Sequence, residues 1–148
     1  MMTRTSLKDW DCSVARTLDI IGDKWALMIL RNAFFGTQKF SGFQSELGIA
    51  KNILSARLKH LVEHGILRRV APQGGGHARY KLTSAGIELH TVLIALLQWG
   101  DRHIGHPDGP PVDIVDVKTG RRVAPMAVRS HSGETLTPFD MRFQPRRS

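Results

Sequence analysis

The stretch KFSGFQSELGIAKNILSARLKHLVEHGILRRVAPQGGGHARYKL, residues 39–82, decides the fold. Ser41 and Gln44 stand at the S-x-x-Q spacing of a capping box, so a short helix is expected from Ser41 to Leu47, ended by Gly48. A longer helix follows over residues 51–64, with Gly65 at its C-terminal end. Along it Leu54, Leu58, Leu61 and Val62 fall at the i, i+4, i+7 and i+8 positions of one buried stripe. Asn52, Ala56, Lys59 and Glu63 lie opposite, with Ile53 and Ser55 on the flanks, so polar and cationic side chains face solvent or a partner. Residues 67–71 and 78–82 are short and β-compatible, the second alternating Ala78, Tyr80 and Leu82 against Arg79 and Lys81. Between them PQGGGH, residues 72–77, cannot hold a helix and suits a hairpin tip.

Charge gathers in the same place. The 148-residue chain has 21 Lys and Arg against 13 Asp and Glu, a net +8. Between residues 39 and 81 stand eight basic residues and only two acids, Glu46 and Glu63, so this stretch carries +6 of that excess. A uniformly basic chain would imply only solubility; cations concentrated in one stretch imply a polyanion partner. Short helix, turn, longer helix with a polar outer face, then a glycine-tipped basic ribbon is the order of a helix-turn-helix with a wing. The expected fold is therefore mainly α with a small β wing.

Double-stranded DNA is the partner this arrangement fits. A helix enters the major groove, where base edges present distinct donor and acceptor patterns, while the helix before it braces it. The ribbon carries cations along the neighbouring backbone or minor groove. Asn52, Ser55, Ala56 and Lys59 are the candidate base readers. Lys39, Ser41, Lys51, Arg57, Arg68, His77 and Arg79 are the candidate phosphate contacts, and Gln73 at the ribbon tip completes the DNA-binding set. Arg57 lies nearer the buried side, and pairing with Glu63 is its alternative.

Working outward, residues 14–21 place Val14, Leu18 and Ile21 on one helical face ahead of Gly22. Asp23 can cap a second helix through Trp25, Met28 and Ile29 to Phe35, closed by Gly36. Thr83 can cap a long helix running through Trp99 to Gly100. Its VLIALL segment, residues 92–97, is apolar on nearly every side. One small core covers one stripe of a helix, so a second copy of the chain is the simplest cover for the rest. The expected homodimer interface comprises Val14, Leu18, Val92, Leu93, Leu96, Leu97 and Trp99. This gives a domain over residues 1–105 and a Pro/Gly linker over 106–112. A β-rich extension over 113–143 and a disordered tail over 144–148 complete the chain. The extension repeats itself: TGRRVAPMAVR (119–129) aligns with SGETLTPFDMR (132–142), implying two small hairpins.

Other classes find little support. The longest apolar run is too short to span a bilayer, and the N-terminus lacks the apolar core of a signal peptide, so the expected location is cytoplasmic, with no membrane partner. The single cysteine, Cys12, excludes a disulfide framework and a cysteine-rich zinc site. Asp101, His103, His106 and His131 offer metal-binding atoms, but Gly105 and Pro107 interrupt the helix that would align them, and no metal or cofactor is expected. No P-loop, GxSxG or HExxH is present, and the acids are scattered, so the chain is read as not an enzyme. Trp25, Trp99, Phe34 and Phe35 are read as core packing. Cys12 stands just before the first helix, where amides and the helix dipole favour a reactive thiolate, although Asp9 and Asp11 oppose one.

The segments CSVARTLDIIGDKW (12–25), KFSGFQSEL (39–47), LSARLKHLVEHGIL (54–67) and YKLTSAG (80–86) resemble, in combination and order, the HxlR-type regulators, relatives of the MarR-type winged helices. The resemblance spans residues 12–100. It implies homodimers built from terminal helices that bind palindromic operators as repressors or activators. Some members sense quinones, aldehydes or hypochlorite with a cysteine at the place of Cys12, which makes an oxidant or small molecule the implied effector. Two departures stand out. The family usually has Ser where Ala50 stands, and a lost cap costs about 1 kcal/mol. The paired Cys-Gly units that look like a metal ribbon in some relatives read here Thr119-Gly120 and Ser132-Gly133, without metal ligands. The expected function is an operator-binding repressor; the alternative is a winged helix that contacts protein or RNA without reading an operator.

Overall fold

Residues 5–146 are described in the computed structural model. In order they form α1 (Ser13–Ile21), α2 (Lys24–Phe34), α3 (Phe40–Leu47), α4 (Lys51–Glu63), β1 (Leu67–Val70), β2 (Arg79–Leu82), α5 (Ser84–Glu88), α6 (His90–His103), β3 (Val128–Arg129) and β4 (Thr135–Leu136), with a 3-10 turn at Pro138–Asp140. This is the mainly helical winged helix-turn-helix that the sequence implies. The chain divides into two compact units, Met1–Leu93 and Ile94–Ser148, the division falling within α6. Residues 106–112 lie in the second unit.

In the first unit side-chain caps start α1, α2 and α5, but not α3 or α4. Cys12 Sγ accepts from Ala15 N at 3.4 Å ahead of α1. Asp23 Oδ1 accepts from Trp25 N (2.8 Å) and Ala26 N (3.3 Å) ahead of α2. The capping box expected at Ser41 and Gln44 does not form: α3 starts one residue earlier, with Lys39 in the cap position and no side-chain cap. The cause is a pairing that the local sequence does not show. Residues 38 and 39 are drawn into extended geometry beside β2, where Tyr80 N donates to Gln38 O (2.8 Å) and Lys39 bridges Arg79.

The core collects Ile29 and Leu30 of α2, Phe43 of α3, Leu54, Leu58 and Leu61 of α4, and Leu67 of β1, all fully buried. Each such side chain contributes about 1.5–3 kcal/mol on leaving water. Val62, the fourth member of the expected stripe, is half-buried against them. β1 and β2 pair antiparallel, Leu67 opposite Leu82 and Arg69 opposite Tyr80. Between them Gly74, Gly75 and Gly76 all have positive φ (82°, 93° and 103°), which is why the tip is glycine.

The long helix expected after Thr83 is two helices. Thr83 Oγ1 donates to the carbonyls of Gly65 and Ile66 and accepts from Gly86 N, pinning α5 to the corner between α4 and β1. A Cβ on Gly86 would lie 2.2 Å from Ile66 O, so only glycine lets the helix come this close. α5 ends after five residues, where Leu89 N turns back to Gly86 O. Gly100 does not end α6 either. The helix continues to His103, and both Ile104 N and Gly105 N bond Gly100 O (2.9 and 3.0 Å), with Gly105 in the left-handed region.

No residue of α6 is fully buried. Leu93 leans on the first unit's own core, so it differs from the rest of the expected dimer set. Val92, Leu96 and Trp99 are exposed and Leu97 is half-buried; on α1, Val14 is 68% exposed and Leu18 47%. Trp99 and Phe35 are thus not core residues of the single chain: Trp99 packs on His103, and Phe35 lies under the Arg31 guanidinium.

In the second unit the internal repeat appears as two hairpins. Val123 N bonds Ile114 O and Asp116 N bonds Arg121 O (both 2.9 Å) in the first; Val128 and Arg129 pair with Leu136 and Thr135 in the second. The matched Gly120 and Gly133 both close their turns at positive φ. Gln98 of α6 grips the segment between the hairpins, donating to Ala124 O (3.2 Å) and accepting from Met126 N (2.6 Å). Of the tail expected to be disordered, residues 147–148 lie outside the described residues.

Candidate nucleic-acid interface

Because Leu54, Leu58 and Leu61 point α4 into the core, the opposite face is turned outward. Lys51, Asn52, Ser55, Ala56 and Lys59 are all exposed. Lys59 Nζ lies 3.9 Å from Glu63 Oε1, an exposed pair worth a few tenths of a kcal/mol at most, so the lysine is only weakly held by it. Ala50 supplies no side-chain cap to α4.

Arg57 is placed differently from the other candidates. Its guanidinium turns to Asp23: Nη2 donates to Oδ2 at 3.2 Å, and Nε lies 3.0 Å from Oδ1, near enough to attract though its N–H is not aimed at that oxygen. The partner weighed for it from sequence, Glu63, pairs with Lys59 instead. Burial pushes the Asp23 carboxyl up, but the hydrogen bond from Arg57, the amides of Trp25 and Ala26 and the Arg57 charge outweigh it and hold it below the ordinary carboxylate value. One carboxylate therefore caps α2 and fastens α4. A second tie is His60 Nε2, 3.2 Å from Ile20 O at the end of α1. A third holds α3: Glu46 Oε2 accepts from Asn32 Nδ2 (2.9 Å) and Thr37 Oγ1 (2.7 Å), while Arg31 Nε donates to the otherwise buried Asn32 Oδ1 (2.9 Å). The outward helix sits on a braced support.

Between the starts of α3 and α4 and the ribbon lies a cleft of about 690 Å³. Lys39, Ser41, Lys51, Ser55, His77 and Arg79 line it, so six of the expected DNA-binding residues come together. Asn52, Ala56, Lys59, Arg68 and Gln73 are exposed but lie outside it. Arg69 lines the cleft and was absent from the expected set. The signal for it was available, since alternation along a strand puts Arg69 on the face of Leu67. Among the described residues no three His, Cys, Asp or Glu stand close enough to hold a metal ion, and no helix is long and apolar enough to cross a membrane. Cys12 is exposed.

A braced short helix, an outward polar helix behind it and a cationic glycine-tipped wing define a winged helix-turn-helix protein of the DNA-binding class. The chain belongs to the HxlR-like helix-turn-helix family, whose model matches residues 20–108, and is a transcriptional regulator of that family. It is 38% identical over 135 residues to an uncharacterised HTH-type transcriptional regulator of Mycobacterium tuberculosis, covering 90% of this chain and 85% of that one. Among solved structures it is similar to PA1607, to which a transcription-factor role is ascribed (44% identity, TM-score 0.89, 95% of this chain and 99% of that one). It is also similar to the redox regulator HypR in its reduced form (29%, TM-score 0.57, 63% of this chain and 96% of that one).

Proposed function

We propose that the chain acts as a homodimer that binds a palindromic operator and represses transcription, with the two α4 helices in successive major grooves about one helical turn apart. The observation that carries this reading is the outward face of α4 (Asn52, Ser55, Ala56, Lys59) beside a cleft lined by cations. Asn52 suits adenine, Ala56 a thymine methyl, and Lys59 guanine or phosphate. The dimer is supported by α6, in which Val92, Leu96 and Trp99 stay exposed and nothing is fully buried. The reading includes no catalytic step and a cytoplasmic location.

Regulation by an oxidant at Cys12 is part of this proposal. The thiol is exposed and its sulfur caps α1, and one structural neighbour is named a redox regulator. Cys12→Ser should abolish oxidant-induced release from DNA; release unchanged in that variant removes Cys12 from the account.

A mobility-shift assay with random duplex, RNA and DNA from upstream of the coding region tests the function. The upstream duplex should be held most tightly, with affinity falling steeply as salt rises. Preference for RNA, or duplex affinity flat with salt, contradicts the reading.

A further inference from the structure

We propose that Arg69, and not its neighbour Arg68, joins Arg79 as a wing arginine that grips a DNA phosphate, clamping it with Lys51 and Lys39 across the cleft between α4 and the ribbon. This rests on the operator-binding reading above and assigns one of its contacts. Three observations carry it. Side chains alternate along a strand, and the register sets Leu67 opposite Leu82 and Arg69 opposite Tyr80 on one face, Arg68 opposite Lys81 on the other. Leu67 is buried and Tyr80 packs against the core, so theirs is the face turned to the helices. Arg69 therefore follows the last buried residue of β1 on that same side and lines the cleft, which Arg79 also reaches from the start of β2 at the ribbon tip, whereas Arg68, farther from the tip on the outer face, does not line it.

The cleft's chemistry fits the same ligand. Arg69, Arg79, Lys51 and Lys39 line it together, with no Asp or Glu in the lining, and among the described residues none of the four has a carboxylate within ion-pair reach. Like charges gathered without a counter-ion repel one another, and that repulsion is relieved when an anion enters. The hydroxyls of Ser41 and Ser55 also line the space and can donate to phosphate oxygens. The guanidinium matters here as a planar fork able to reach two oxygens of one phosphate, which an ammonium cannot do.

The test needs no operator, because non-specific binding is almost wholly phosphate contact. A random-sequence duplex of about three helical turns is titrated with the full chain over a salt series. Arg69→Ala should weaken binding about tenfold and lower the slope of log affinity against log salt by about one, whereas Arg68→Ala should stay within about twofold of the parent. Arg69→Lys should keep the slope and lose part of the affinity, since it retains the charge without the fork. Arg69→Ala combined with Lys51→Ala should cost less than the sum of the two, as for residues that share one phosphate. Equal losses from Arg68→Ala and Arg69→Ala, with both variants folded by circular dichroism, overturn the assignment while leaving the operator reading intact. A parent protein that fails to retain duplex at low salt overturns both.

Discussion

Asp23 holds two elements with one carboxylate, and the consequences can be measured separately. Asp23→Asn keeps an oxygen able to cap α2 but removes the charge opposite Arg57. Stability should fall by about 1 kcal/mol at pH 7. The folded-state value of this carboxyl lies below its ordinary 3.8, so its contribution is present above that value and disappears as pH falls through the folded-state one. Urea unfolding should therefore show parent and variant converging in strong acid; a gap that persists there contradicts the pairing. Ala50 offers the opposite case. It occupies the cap position of α4 in extended geometry without a capping bond. Ala50→Ser should raise stability by about 1 kcal/mol, read as a higher Tm, and an unchanged Tm would show that the first turn is satisfied in another way. The buried stripe of α4 was legible because Leu54, Leu58 and Leu61 carry their period within the helix. Arg57's partner was not, because Asp23 lies 34 residues away and only the packed fold brings it near.

At the scale of elements, what the sequence disclosed and what it hid divide along the same line. The helix-turn-helix order, the glycine tip and the hairpin repeat are local patterns, and all appear in the structure. The capping box at Ser41 failed because residues 38 and 39 pair with β2, a partner about forty residues on. The long helix from Thr83 is interrupted at Leu89, whose amide bonds Gly86 O three residues back, while Gly86 itself is pressed against Ile66 O, a contact invisible in a helical pattern. Gly86→Ala is the sharpest test of that corner. Its Cβ has no room, so the loss should be about 2–3 kcal/mol, well above the roughly 1 kcal/mol gain that an open helical site gives on the same change. Chemical unfolding decides it; a neutral or stabilising effect would mean that α5 does not dock there.

For the whole molecule, two surfaces ask for partners of different kinds: an apolar one on α6 and a cationic one around α4 and the ribbon. Leu96→Glu places a charge on the apolar surface; on the proposed reading sedimentation should find dimers for the parent and monomers for the variant, with the fold of the single chain kept. Monomers from both, or dimers from both, would take α6 out of the interface. Operator reading by the cationic surface is tested by what that surface selects. Genomic fragments retained by the purified protein are sequenced beside those retained by the Asn52→Ala/Ser55→Ala variant. The parent should enrich a few inverted repeats whose halves lie about one helical turn apart, and the variant, folded and still basic, should lose that selection while keeping general affinity for duplex. Fragments recovered without sequence preference, or the same sites enriched by both proteins, would contradict the account.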